Sequence, residues 1–396
     1  MLEKIIINNF KSYKNATEVS FSKTNYSILP QNVNEDGILK GAIFVGANAS
    51  GKSNIILAIK LLLDFLFEDI SINSEIFRCL FSNKYTFSIE YFFLINNKHI
   101  RYEIEIETRK KIIYEKLQIE DKTLLNRSGT NATSCISGNE SIKYDENDVD
   151  RETLFLRTLF FNTKFTSNLD LKALMDFLQN SVYVNPFYIS EYNKRIISYG
   201  KKKLYIYDYL NENGTQKINE FFKNYNFEQI INYSQQAFTP TSVIVVDPNN
   251  PENKEIFVKR KDLQASIPIS QESLGNKNLL QMLPAFFEVL NNNGMLIIDE
   301  FSSGLHPKLE KMLVKYFMNN SNKSQLFFVS HSTSLISNSV MRPDQVYSVE
   351  FNGNEGSSVH RFSDDQPRTA QNIEKMYMSG VFGGLPTIKD NFDEDK

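Results

Sequence analysis

Residues 46–53 read Gly46-Ala47-Asn48-Ala49-Ser50-Gly51-Lys52-Ser53, a match to G-x-x-x-x-G-K-[ST] at every fixed position. The match lies between an apolar run, Gly41–Val45, and the segment SNIILAIKLLLDFLF (53–67), whose apolar residues recur at helical spacing without Pro or Gly. Strand, glycine loop and helix in direct succession are the context this motif requires. Glycines at 46 and 51 let the backbone curl so that its N–H groups and the helix start point at phosphate oxygens. Lys52 reaches the outer phosphates, and the Ser53 hydroxyl is placed for Mg²⁺. The plain alternative is a Gly-containing turn before a helix.

Three further stretches carry matching chemistry. GMLIIDE (294–300) is an apolar strand ending in two carboxylates, where strand ends meet a ligand crevice in open α/β sheets. Asp299 is the candidate metal ligand beside Ser53, and Glu300 the candidate acceptor for a proton from an attacking water. QLFFVSHSTSL (325–335) puts His331 just past another apolar strand, expected beside the first, so the imidazole reaches the same edge. Ser270-Gln271-Glu272-Ser273-Leu274-Gly275 precedes a helix expected from about 276 to 291, which sets Ser273 and Gly275 at a positive helix end; an N-cap explains the same residues.

Farther out, LEKIII (2–7) and TEVSFS (17–22) read as strands around NNFKSYKN, and period-2 alternation from about 85 to 125 predicts a small antiparallel sheet. A polar stretch at 126–150 reads as a loop. Residues 151–235, with LFLRTLFFNTKF and LDLKALMDFLQN, carry mostly helical patterning without a heptad seam. Beyond 242, strands alternate with helices near 276–291 and 307–319, the signature of a parallel sheet with covering helices. The division read from this is a core of 1–67 and 242–396, a lateral antiparallel β lobe at 68–130, and an inserted, mostly helical arm or dimerisation region at 131–241.

The chain has 396 residues, 41% of them hydrophobic, which excludes a disordered chain and allows two or three folding units at roughly 150 residues each. Lys and Arg (44) nearly balance Asp and Glu (47), for a net charge of −3, so nucleic acid could be met only by a local patch. Arg109-Lys110-Lys111, Lys201-Lys202-Lys203 and Lys259-Arg260-Lys261 are such clusters, although short basic runs are usually solvated loops. Two cysteines and four histidines, none at zinc-ligand spacing, argue against a disulfide framework or a structural zinc. With no signal peptide and no apolar stretch of roughly 18 residues, the expectation is a cytoplasmic protein without membrane contact.

Taken in this order, the pieces resemble the nucleotide-binding head of ABC-type ATPases in the RecF, SMC and OLD branch. The resemblance rests on Asn9-Phe10-Lys11-Ser12, the loop 46–53, the degenerate signature Glu272-Ser273-Leu274-Gly275, Asp299-Glu300, Ser303-Gly304-Leu305-His306-Pro307 and His331. It implies an α/β P-loop NTPase head, with a mixed central sheet, an antiparallel β lobe and an inserted helical arm. It also implies ATP and Mg²⁺ as cofactors, and hydrolysis of ATP to ADP and phosphate in a homodimer or higher homo-oligomer that closes around nucleotide. Implied nucleotide contacts are Gly46, Asn48, Ser50, Gly51, Lys52, Ser53 and Asn54, with Lys11 and Ser12 from the N-terminal turn and Ser273 and Gly275 from a second subunit. Implied metal ligands are Ser53 and Asp299, and implied catalytic residues are Glu300, His331 and Lys52. The signature has one Gly and no Gln, so it departs from LSGGQ. The glutamine-containing lid loop of such heads is expected in the lateral lobe.

The stretch RTAQNIEKMYMSGVFGGLP (368–386) resembles the end of stand-alone anti-phage and abortive-infection ATPases of this branch, RloA/AbiL and the AriA subunit of PARIS. No Toprim nuclease follows it before Lys396, so the resemblance implies a sensor or scaffold subunit in bacterial phage defence that controls a separate effector, a nuclease or toxin. Two alternatives stay open: a RecF-like repair or recombination ATPase acting on DNA, and a non-hydrolysing nucleotide switch that holds and releases a partner.

Overall fold

The computed structural model describes residues 1–70, 72, 75–136, 141–186, 196–200, 202–238, 243–245 and 253–386. A hairpin of β1 (Leu2–Asn8) and β2 (Thr17–Ser20) is followed by β3 (Gly41–Val45) and the helix α1 (Lys52–Phe67). Then come β4 (Thr86–Ile95), β5 (Lys98–Glu107), β6 (Ile112–Ile119), β7 (Lys122–Ser128), β8 (Asn131–Ser134) and β9 (Ile142–Tyr144). These six strands form a meander that the first hairpin extends at the β4 edge: β2, β1, β4, β5, β6, β7, β8 and β9 make an eight-stranded antiparallel sheet. Strict alternation in β4, with Phe87, Ile89, Tyr91, Phe93 and Ile95 inward, is what a sheet with one solvated face requires. Asn96 and Asn97, both at positive φ, make the tight turn between β4 and β5.

The middle of the chain holds α2 (Phe155–Thr163), α3 (Leu169–Gln179), β10 (Val182–Val184), β11 (Ile196–Ser198), α4 (Ile206–Asn213) and α5 (Gln216–Asn224). It continues through β12 (Gln229–Ser234), β13 (Gln236–Phe238), β14 (Val243–Val245), β15 (Glu255–Arg260) and β16 (Ser266–Pro268). The last part comprises α6 (Leu274–Asn292), β17 (Met295–Ile298), α7 (Pro307–Asn320), β18 (Gln325–Val329), β19 (Val346–Phe351), β20 (Ser357–Arg361) and the short α8 (Ile373–Met378).

The central sheet runs β11-β10-β17-β18-β3-β19-β20, with β10, β17, β18, β3 and β19 parallel and an antiparallel strand at each edge. Its inner strands are buried on both faces, so they read as continuous apolar runs. Successive side chains divide between two cores. Ala42, Phe44, Ile297, Phe327 and Val329 join α1, the antiparallel sheet, α2 and α3, while Ile43, Val45, Ile298, Leu326 and Phe328 join α6 and α7. Cys79 and Cys135 are free thiols, and no helix among the described residues is long and apolar enough to cross a membrane.

Three boundaries differ from those read in the sequence. From the expected core segment 1–67, β1 and β2 enter the antiparallel sheet, because β1 pairs with β4 (Ile5 opposite Tyr91) as well as with β2. That sheet also extends past 130 through β8 and β9. Residues 131–241 do not form a helical arm: α2 and α3 lie against α1, and β10 pairs in parallel with β17 inside the central sheet. The apolar faces of α2 (Leu156, Leu159, Phe160) and α3 (Leu171, Leu174, Met175) are buried in the α1 core, and a projecting arm would leave them in water.

Candidate functional site

Parallel strands put their carboxyl ends on one edge of the sheet, and four loops converge there. Residues 46–51 follow β3, Asp299-Glu300 follow β17, Ser330-His331 follow β18, and Asn185 follows β10. Together they line a cleft of about 640 Å³ formed by Asn48, Ala49, Gly51, Lys52, Ser53, Asn54, Asn185, Asp299, Glu300 and His331.

The glycine loop curls back to start α1 directly. Gly51 has φ 110°, and a Cβ there would lie 2.4 Å from Ser357 Oγ and 2.6 Å from Ser12 Oγ, so only glycine fits. The Lys52 ammonium donates to the Gly46 and Ala47 carbonyls at 3.0 and 2.7 Å, and burial lowers its pKa against the opposing pull of Glu300 and Asp299. Ser50, 2% exposed, keeps its Oγ without a hydrogen-bond partner. The Ser53 hydroxyl donates to Asp299 Oδ1 at 2.9 Å, and burial pushes the Asp299 carboxyl up despite that bond. Glu300 takes a left-handed backbone (φ 62°), rare for a residue with a side chain, and its Oε2 lies 3.6 Å from His331 Nε2. The His331 N–H and the Ser330 hydroxyl both donate to Ser302 Oγ, at 3.2 and 3.3 Å.

These residues fit a nucleoside triphosphate with a divalent cation. A buried cation bonded only to its own loop's carbonyls, an orphaned hydroxyl in that loop and a Ser–Asp oxygen pair are the donor and acceptor set that phosphates and Mg²⁺ take. No group of three His, Cys, Asp or Glu that could hold a metal is present among the described residues, so such a cation would complete its shell from phosphate and water.

Other expected residues sit elsewhere. Ser12 braces the loop from outside the cleft: its Oγ accepts from Asn54 Nδ2 (2.8 Å) and shares a hydrogen bond with Ser357 Oγ (2.7 Å), while Tyr13 OH donates to the Gly51 carbonyl. Lys11 does not line the cleft; its ammonium lies 5.6 Å over the Phe77 ring. Ser273 caps α6, its Oγ accepting from Asn276 N at 3.3 Å, and Arg260 grips the neighbouring Glu272 through both carboxylate oxygens at 3.1 and 3.0 Å. Gly275 is so near the loop after Glu300 that a Cβ would lie 2.4 Å from the Gly304 carbonyl oxygen. Neither Ser273 nor Gly275 lines this chain's own cleft, and Leu274 between them is 61% exposed. His306 caps α7, its Nδ1 accepting from Lys308 N.

Besides Asn48 and Asn54, the side-chain amide that lines the cleft is Asn185. No glutamine of 68–130 reaches it among the described residues, so the lateral lobe does not supply the expected lid residue there. Asn185 is invisible to periodicity because Val182–Val184 is too short to show alternation; the one signal was the Val-Tyr-Val triplet, of high strand propensity, ended by Asn-Pro. Members of each basic cluster are paired with carboxylates: Lys110 neighbours Glu107, Lys202 bonds Glu288, Arg260 pairs with Glu272 and Lys261 with Glu228, while Lys201 lies outside the described residues.

Residues 42–337, most of the chain, match the family model described as "AAA domain, putative AbiEii toxin, Type IV TA system". No curated protein sequence matches the chain. Among solved structures, an SMC head bound to the C-terminal winged-helix domain of ScpA superposes with a TM-score of 0.51 at 15% identity, covering 90% of this chain and 97% of that one. The SMC head domain from Thermotoga maritima gives 0.46 at 16% identity, covering 91% and 98%. An SMC head with an extended coiled coil, bound to the C-terminal domain of ScpA derived from Pyrococcus furiosus, gives 0.48 at 13%, covering 96% and 98%.

Proposed function

From the premise that the chain belongs to the AbiEii-type AAA-domain family, with the fold of an SMC ATPase head, we propose that it binds and hydrolyses ATP with Mg²⁺. The observation that carries this reading is Lys52 held between the Gly46 and Ala47 carbonyls at the mouth of a cleft that also contains the Ser53–Asp299 pair. When bound, ATP with Mg²⁺ supplies the phosphoanhydride bond whose cleavage drives the cycle.

The chain's own residues divide the work. Lys52 turns from the two carbonyls toward the outer phosphates, and the N–H groups from Gly51 to Ser53, with the Ser50 hydroxyl, line the anion site. Ser53 and Asp299 offer oxygens to the cation. Glu300 accepts a proton from water, and His331, beside it, orients that carboxylate. This pairing at 3.6 Å favours hydrolysis over a non-hydrolysing switch. Ser273 and Gly275 are exposed or half-buried outside the cleft, which supports a second copy bringing them to the nucleotide. We further propose that the ATPase is a sensor or scaffold in phage defence acting on a separate effector; the family description names a putative toxin of a type IV TA system, which supports a role in a system of more than one component and goes no further.

Calorimetric titration of ATP with Mg²⁺ into wild type and Lys52→Ala tests the reading. Loss of the charge-assisted bonds should weaken binding on the order of 100-fold. Equal affinity in both proteins overturns it.

A further inference from the structure

The segment Gly380–Pro386 has no part in the cleft chemistry above, yet it touches the phosphate loop. The Ala47 amide donates to the Gly384 carbonyl at 2.7 Å. A cavity of about 390 Å³ between them is walled by Tyr377, Met378, Leu385 and Pro386 on one side and shares Asn48 and His331 with the nucleotide cleft.

We propose that this segment is a positioning element for the phosphate loop, with Gly384 as the residue that holds the first turn of the loop through the Ala47 amide. The inference rests on the ATP-binding reading and concerns how its loop is kept in shape. The two halves of the loop are restrained differently. The second half is tied down by Ser357 Oγ on the Ser50 carbonyl and by Tyr13 OH on the Gly51 carbonyl. In the first half, Gly46 and Ala47 are held by Lys52 Nζ on both carbonyls, by a long 3.3 Å turn bond from Ser50 N to the Ala47 carbonyl, and by Gly384. A lysine that turns to phosphate gives up two of these restraints at the moment the loop must keep its shape. The bond to Gly384 does not involve Lys52 and persists.

The holder is itself anchored. Phe382 is 2% exposed and stacks on Phe362 with centroids 3.9 Å apart and planes at 15°, and its carbonyl accepts from Ser348 Oγ. Ser348 belongs to β19, which pairs in parallel with β3, the strand that ends at the loop. Gly384 has φ 75°, and a Cβ there would lie 3.0 Å from Ser348 Cβ and 3.3 Å from the Val349 carbonyl oxygen. Any side chain at 384 therefore strains this backbone and displaces the carbonyl from Ala47.

The test combines Gly384→Ala with Ala47→Pro, which deletes the donor N–H and keeps the carbonyl that Lys52 uses. ATP affinity, KM and kcat are measured alongside the melting temperature without nucleotide. Each single variant should weaken ATP affinity and raise KM about tenfold, the effect of one lost hydrogen bond, while kcat at saturating ATP holds. Adding Gly384→Ala to Ala47→Pro should cost nothing further. A fall in melting temperature with unchanged KM, or additive losses in the double variant, overturns the positioning role while the ATP reading stands. Absence of ATP binding by the wild type overturns both.

Discussion

Ser53 and Asp299, 246 residues apart in sequence, share a hydrogen bond of 2.9 Å that joins the first turn of α1 to the end of β17. The bond sets two hard oxygens side by side at the phosphate end of the cleft, the pairing a Mg²⁺ shell uses. Ser53→Ala should therefore leave ATP binding in EDTA at the wild-type level and abolish its enhancement by Mg²⁺, a difference of about tenfold in titrations with and without the metal. Equal enhancement in the variant would remove Ser53 from the cation site.

Glu300→Gln keeps the shape of the side chain and removes its basicity. ATP binding should persist while phosphate release in steady state falls by about 100-fold or more, the range for loss of a general base. Turnover within a few-fold of wild type would reassign the base.

Gly275 permits α6 to start against the Gly304 carbonyl. A methyl group there must push away the loop that also carries Ser302, to which the His331 N–H donates. Gly275→Ala should leave ATP affinity unchanged and reduce turnover about tenfold, an effect of one disturbed hydrogen bond. Weakened ATP binding with normal turnover would contradict this coupling.

Arg127 and Glu115 form an ion pair at 2.7 Å with both side chains almost fully buried. Arg127 also donates to the Asp150, Thr153 and Gly129 carbonyls, and Glu115 accepts from Tyr102 OH and from the Phe155 and Leu156 amides at the start of α2. The pair thus locks α2 to the antiparallel sheet. Arg127→Met leaves a buried carboxylate without its cation and should cost about 3–5 kcal/mol in urea unfolding, with ATP affinity in the folded protein unchanged. A loss under about 1 kcal/mol would show that water reaches Glu115.

Much of the site was legible because its chemistry is written in contiguous residues. The loop 46–53 needs a fixed order of Gly, Lys and Ser, and Asp299-Glu300 announces itself as carboxylates ending an apolar strand. Asn185 and Gly384 were not legible as neighbours of that loop, since each comes from a short element whose place depends on contacts far along the chain. Lys11 and Ser12 illustrate the opposite case: their residue types suit phosphate, yet the fold puts Ser12 beneath the loop as a brace and Lys11 over Phe77.

The sequence by itself determined the glycine loop between strand and helix, the alternating β4 and β5, and the parallel-sheet class, because these depend on local periodicity and on the backbone freedom of single residues. Only the tertiary structure decided that β1 and β2 leave the central sheet for the antiparallel one, that β10 enters it beside β17, and that Asn185, Asp299, His331 and Gly384 meet around one loop. The reason is physical. A strand's period of two says which face is buried but not which strand lies beside it; that choice is made by register and packing between segments hundreds of residues apart.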